Sequence, residues 1–562
     1  MNPRAMSDTK RRLLTSPLLV LMLALGAAPA AQPQGPPAAQ PAPPRLLVMI
    51  VIDQFRADYP DRYGSTWTSG LHRLFTEGAT FPRNAYPYAG TVTCAGHATI
   101  GTGLFPASHG MTANTWYDQA TRTSVACADD RAAAPIGFGG LAAAEHHGPR
   151  ALLAQTFADQ LRTHSPGTRV TSISLKARSA IGMAGHAGPG VMVMWEEDSG
   201  VWATSGDYAK TPWPEVDRYV AAHPVARDYG AVWSRLLPDA AYRSTDDGAG
   251  ESASHGWLRT FPHPLDSPSG KPDQTFVWRW ERSPWSDAYI GGLADGLVDA
   301  LQLGRGNGTD MLALSFSALD LVGHEFGPAS HEVQDVLVRL DRTIGQVLDT
   351  LDREVGRDHY VLALSADHGV ALVPEQEQAA GRDAGRVAPA AIQRAVNTAA
   401  GHVLGVDRAY AALNDQNLSL LPGVFDRLRQ HPGGIEAVRA ALTAIPGLKS
   451  AYDRDQLIDE SPTTDADLQA WRLSNVPGRS GDFVLTLKPG WIVRGTATGT
   501  THGSPNAYDQ QVPLVFFGAG VVPGQYDVAS SPADIAPTFA ALTGVTLSAA
   551  DGHARMDVFK RR

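Results

Sequence analysis

The stretch Leu46-Leu-Val-Met-Ile-Val-Ile52 is an unbroken apolar run that leads straight into Asp53. It is short for a helix and has no polar alternation, so it reads as a strand covered on both faces. Three further runs have the same form. Val170 to Leu175 leads to Lys176 and Arg178, Met311 to Phe316 leads to Asp320, and Tyr360 to Leu364 leads to Asp367 and His368. Helical patterns lie between them. The clearest is the stripe Val333, Val336, Leu337, Leu340, Ile344, Val347, Leu348 and Leu351, with Asp335, Arg339, Asp341 and Arg342 expected on a solvated face. Buried strands alternating with helices predict an α/β fold, a central, mainly parallel sheet with helices on both faces. Ligands of such sheets gather beyond the carboxyl ends of the strands. All four runs place acids, histidine or cations there.

Composition narrows the classes. The chain has 562 residues, 47 Lys plus Arg against 57 Asp plus Glu, and is 43% hydrophobic. That apolar content excludes a disordered chain, and the acidic balance argues against nucleic acid as a structural partner. Two cysteines, Cys94 and Cys127, exclude a disulfide scaffold and a thiolate metal cluster. Residues 1–31 read as a signal peptide: Lys10, Arg11 and Arg12, then the apolar Leu13 to Leu25, then Ala28-Pro29-Ala30. A Pro/Ala-rich leader (32–44), a catalytic body (45–550) and a C-terminal tail (551–562) follow. Inserts are expected at about 118–150, 245–285 and 375–480, the last forming a cap. No second long apolar run occurs, so no stable membrane span is expected after signal cleavage, and the location is periplasmic or secreted. The two cysteines have the compartment in which to pair, but the sequence does not say whether they do.

Five segments supply hard ligands: Ile52-Asp53, Thr93-Cys-Ala-Gly-His97, Asp320-Leu-Val-Gly-His324, Asp367-His368-Gly369 and Thr501-His502-Gly503. Imidazole and carboxylate together suit zinc. Asp320 and His324 are four apart, so one helical turn aims both at one ion, whereas Asp367 and His368 are adjacent at a strand end. Each segment alone is common; their order and shared position after apolar runs are not.

In that order the chain resembles the alkaline phosphatase superfamily, and within it the secreted, phosphate-irrepressible alkaline phosphatases, over about residues 45–550. The resemblance implies that fold, two zinc ions and small-molecule phosphate esters as substrates. One zinc would take Asp320, His324 and His502; the other would take Asp53, Asp367, His368 and the nucleophile Thr93. Thr93, rather than Thr91, has the family spacing to a histidine (His97). A threonine there is otherwise an ordinary helix N-cap. The small residues Ala98 to Gly103 would let a helix lie close on the sheet. Asn114, Lys176 and Arg178 match the family's phosphoryl-binding residues. Lys176 and Arg178 are expected two apart on an extended segment, facing one anion. His97 is read as structural or as a support behind the ligands, and His186 as structural. Trp257, Phe261, Trp278, Trp280 and Trp285 are read as the small core of an insert rather than as a border of the leaving-group side.

The resemblance points to a phosphate monoesterase acting through a phosphothreonine. The alternative is a phosphodiesterase or nucleotide pyrophosphatase of the same superfamily, whose members place an apolar pocket where Lys176 and Arg178 stand. A non-catalytic metal or phosphate binder is a remoter alternative. A sulfatase is excluded, because Cys94 is followed by Ala-Gly-His-Ala instead of the sequence that matures to formylglycine.

Overall fold

The computed structural model describes residues 43–186, 188 and 190–560. The expected signal peptide and nearly all of the leader lie outside the described residues. The run Leu46–Ile52 forms strand β1, every residue of it buried. In chain order the other strands of its sheet are β2 (Ala79–Thr80), β3 (Pro135–Gly137), β4 (Val170–Ser174), β5 (Gly190–Glu196), β6 (Val201–Ser205), β7 (Asp310–Phe316), β8 (Tyr360–Ser365), β9 (Leu514–Gly518) and β10 (Gly524–Gln525). The ten strands lie in the order β10-β2-β9-β8-β1-β7-β4-β5-β6-β3.

The sheet is mixed. Its centre, β8-β1-β7-β4-β5, is parallel, while β9, β6 and β3 run antiparallel to their inner neighbours. The four residues 197–200 join β5 to β6, too few for the crossover that a parallel return needs. The segment 118–150, expected as an insert, contains an edge strand of the main sheet.

Alternation along β1 explains the two layers of helices. Leu46, Val48, Ile50 and Ile52 enter one apolar core, while Leu47, Met49 and Val51 enter another. Helices α1 (Thr93–Thr102), α2 (Phe157–His164), α3 (Ala177–Ala184), α4 (Pro284–Ala300), α5 (Ala318–Phe326), α6 (His331–Glu354) and α7 (Ile535–Thr543) surround the sheet. α4 and α6 fill the first core, and α1, α2 and α7 reach the second through Ile100, Phe157 and Phe539.

Two expectations are corrected here. The charges of α6 do not form a solvated face, because Asp335 and Asp341 are buried while Arg342 is exposed. Asp335 accepts hydrogen bonds from Trp233 Nε1, the Tyr242 hydroxyl, the Leu236 amide and Arg339. Asp341 accepts from the amides of Thr68, Ser69 and His72, donors that the start of the helix at Gly70 leaves unsatisfied. Nor do the tryptophans make a separate small core: Trp257 and Trp280 are buried in the first main core, with Phe261 and Trp285 packed against it.

Within 375–480 and just beyond, four antiparallel strands, Tyr410–Asn414, Asn417–Leu420, Leu448–Asp453 and Phe483–Leu487, form a second sheet. With the helices Pro389–Leu404 and Gly434–Thr443 they enclose a core of their own, including Ile392, Leu418, Val438 and Phe483. Cys94 and Cys127 form a disulfide, a pairing the sequence left open.

Candidate metal centre

Strand order builds the site. β8, β1, β7 and β4 are consecutive neighbours, so their carboxyl ends deliver Asp367-His368, Asp53, Asp320 and Lys176 side by side. Asp53, Asp320 and Asp367 are each at most 2% exposed. Lys176 Nζ bridges two of them, 2.6 Å from Asp53 Oδ2 and 2.5 Å from Asp320 Oδ2. Three carboxylates around one ammonium leave negative charge uncompensated.

The imidazoles are fixed in a common way. Nδ1 of His324, His368 and His502 lies 2.9 Å from the carbonyls of Thr500, Gly369 and Thr91, respectively. A carbonyl only accepts, so each Nδ1 carries the proton and each Nε2 is left as a lone-pair donor. Those Nε2 atoms face the carboxylates. His324 and His502 stand 3.2 and 3.8 Å from Asp320 Oδ1, and His368 stands 3.5 Å from Asp53 Oδ1. Among the described residues, Asp320-His324-His502 and Asp53-Asp320-His368 are groups able to hold a cation, each with ligand atoms within 4.8 Å of one another. Asp320 is common to both. Asp367 belongs to neither group, but its Oδ2 lies 3.4 Å from His368 Nε2.

Two orphaned oxygens argue for cations here. Asp53 Oδ1 and Asp367 Oδ2 are buried and accept no hydrogen bond, a costly state that a bound cation relieves. The charge states agree. Burial, with repulsion from Asp320 and Asp367, pushes the Asp53 carboxyl well above its usual range. Burial also acts against the Asp320 carboxylate, but Lys176 and His324 outweigh it and hold that carboxyl well below its usual range. Burial lowers His368 and His502, keeping them in the neutral form that ligates metal.

Thr93 opens α1 and is 1% exposed. It is not an N-cap: Val92 holds that position, with no capping side chain. The Thr93 hydroxyl is 3.5 Å from His368 Nε2, at the positive end of the helix dipole. The Thr91 hydroxyl is engaged elsewhere, donating to the Ser504 carbonyl at 3.1 Å. α1 reaches the site because of Gly96, where a Cβ would lie 2.2 Å from the Asp367 carbonyl oxygen. At Gly101 the close partner is the neighbouring helix rather than the sheet, since a Cβ there would lie 2.1 Å from the Gly182 carbonyl oxygen.

The expected extended Lys-x-Arg segment is corrected. β4 ends at Ser174, and Lys176 is the N-cap of α3, which puts Arg178 in the first helical turn. The two cations therefore do not share a strand face. Lys176 turns to the carboxylates, and Arg178 Nε is buried without a hydrogen-bond partner. Asn114 Oδ1 accepts from the Cys94 amide at 3.0 Å. His97 Nδ1 lies 3.0 Å from the Thr93 carbonyl and 3.2 Å from Asp367 Oδ2, and its Nε2 lies 2.9 Å from Ser315 Oγ. His186 pairs with Asp159 at 2.9 Å, away from the cluster.

Sequence reading missed Gln54. Its amide donates to Asp367 Oδ1 at 3.1 Å, and its Nε2 donates to Asp320 Oδ1 at 2.6 Å. Only its place beside Asp53 could have flagged it. Its φ of +67° is a feature of the backbone that no motif announces.

The model of the family described as type I phosphodiesterase / nucleotide pyrophosphatase matches residues 47–509. The chain belongs to that family. Alkaline phosphatase PafA of Elizabethkingia meningoseptica is 30% identical over 89% of this chain and 91% of its own. Alkaline phosphatase PhoV of Synechococcus elongatus is 29% identical over 95% and 96%. A solved structure of PafA carrying one Thr-to-Ser substitution and Asn-, Lys- and Arg-to-Ala substitutions superposes with a TM-score of 0.85, at 29% identity, covering 93% of this chain and all of that one. This family member is a phosphoester hydrolase of the alkaline phosphatase superfamily.

Proposed function

We propose that the chain is a zinc-dependent phosphate monoester hydrolase, an alkaline phosphatase, acting through a phosphothreonine at Thr93. The observation that carries this reading is the Thr93 hydroxyl at the start of α1, 3.5 Å from Nε2 of His368, which belongs to the Asp53-Asp320-His368 candidate cation group. Two zinc ions, held by Asp320, His324 and His502 and by Asp53, Asp367, His368 and Thr93, would lower the hydroxyl pKa and offset phosphoryl charge.

The chain's own groups do the rest. Thr93 Oγ attacks phosphorus and loses its proton; the bond to the ester oxygen breaks, and the departing alcohol takes up a proton from solvent. Water then cleaves the phosphothreonine to return Thr93 and inorganic phosphate. The amides that open α1 favour the anionic group. Arg178, with an unpaired Nε, Asn114 Nδ2 and Lys176 bind the non-bridging oxygens. The four substituted positions of the PafA variant, Thr, Asn, Lys and Arg in that order, stand at the same chain intervals as Thr93, Asn114, Lys176 and Arg178, which supports this choice.

A diesterase reading is favoured by the description of the family model. Arg178 and Lys176 favour the monoester, whose extra negative charge they meet. The pattern of residues 1–31 supports export to the periplasm or beyond.

The test is a comparison of kcat/KM for p-nitrophenyl phosphate and bis-p-nitrophenyl phosphate, before and after Lys176→Ala with Arg178→Ala. Monoester cleavage is expected to dominate in the parent and to fall by far the larger factor in the variant. Dominant diester cleavage, or equal losses, would reverse the assignment.

A further inference from the structure

Asn114 is on a loop, yet both its side-chain oxygen and its main-chain carbonyl are held. The Cys94 amide donates to Asn114 Oδ1 at 3.0 Å, and the Cys127 amide donates to the Asn114 carbonyl at 2.9 Å. Those two residues are the halves of the one disulfide, and each is 1% exposed. Cys94 is the second residue of α1, so its amide is among those a helix start leaves without a partner. Asn114 Oδ1 supplies that partner, because Val92 has no capping side chain. With Oδ1 accepting, Nδ2 is the end of the amide left to donate. Asn114 is thereby tied to the helix that begins with Thr93.

We propose that the Cys94–Cys127 disulfide is a positioning element for phosphoryl binding, one that holds Asn114 at a fixed offset from the Thr93 hydroxyl. The proposal rests on the reading of Asn114 as a phosphoryl ligand. Cys127 follows directly on a short two-stranded ribbon, Thr115–Asp118 paired with Thr123–Ala126, whose second strand is largely exposed. Trp116 and Tyr117 of the first strand are buried, but the second strand, which carries Cys127 at its end, has little buried surface to hold it in place. The covalent link to α1 restricts it and, through the Cys127 amide, restricts the Asn114 main chain. Donors set for a charge that develops in the transition state lose their effect when displaced by about an ångström.

The experiment is a double-mutant cycle on the full-length exported protein, reading kcat/KM for p-nitrophenyl phosphate and the inhibition constant of inorganic phosphate. Replacing the disulfide (Cys94→Ala with Cys127→Ala) is expected to lower kcat/KM about tenfold and weaken phosphate binding when Asn114 is present. It should change either quantity less than twofold in an Asn114→Ala background. Equal losses in both backgrounds would overturn the proposal and leave the disulfide a stability role. If Asn114→Ala alone changed nothing, the reading of Asn114 as a ligand would fail, and the proposal with it. Cys127→Ala alone, which leaves α1 unaltered, runs the same cycle if the double replacement does not fold.

Discussion

The floor of the site and its rim are held by different means. Asp53, Asp320, Asp367 and Lys176 lie at or just beyond the ends of adjacent parallel strands, where register aligns Ile52 with Phe316, Val51 with Ser365 and Ser315 with Ser174. Hydrogen-bond ladders on both sides fix those ends. The rim comes from segments between strands. Asn114 is held by a disulfide and two amides, and Asp415 and Gln416 form the turn of a hairpin in the second sheet. The floor is thus set by the sheet itself, whereas the rim can change without disturbing the sheet.

The contrast breaks most sharply at the floor. Thr93→Val is expected to reduce steady-state turnover by ~10³-fold or more, as loss of a nucleophile does; retained turnover would move the attack to Thr91 or elsewhere. Chelation should also inactivate the protein, with zinc restoring it, and restoration by magnesium alone would displace the zinc assignment. Gly96→Ala pushes a methyl against the Asp367 carbonyl. It should cost ~1–3 kcal/mol of stability in thermal unfolding, together with part of the activity. A full-activity, full-stability variant would mean that α1 has slack against β8.

The smallest effect sharpens the comparison with a buried acid outside the floor. Burial raises Glu251 to about 8. Its folded form therefore holds a proton that the unfolded form releases near 4.5, so its contribution is present below that pH and is lost as pH rises through about 8. Glu251→Gln should flatten the fall in stability between those limits by up to ~1.4 kcal/mol per pH unit. An unchanged slope in urea unfolding at several pH values would place that dependence on other groups.

Much of the floor was legible. Apolar runs end in polar residues wherever a buried parallel strand leaves the sheet, so Asp53, Asp320, Asp367 and His368 identify themselves by position. β6 and β9 were not marked, although β9 (Leu514–Gly518) is nearly all apolar, because no polar ligand follows it. The burial of Asp335 and Asp341 was hidden, since period alone does not say that a second layer covers the other side of α6. The turn of Lys176 into α3 was hidden as well; two cations two apart read the same on a strand as at a helix start.

The sequence alone determined the α/β class, four of the five parallel central strands and the candidate acids and imidazoles, because burial and ligand chemistry write themselves into local residue patterns. Only the tertiary structure decided that Asp320 is shared by both cation groups, that Lys176 bridges Asp53 and Asp320, and that Cys94 and Cys127 join around Asn114. Those outcomes depend on strand order and on contacts between residues from 33 to more than a hundred positions apart, which no local pattern records.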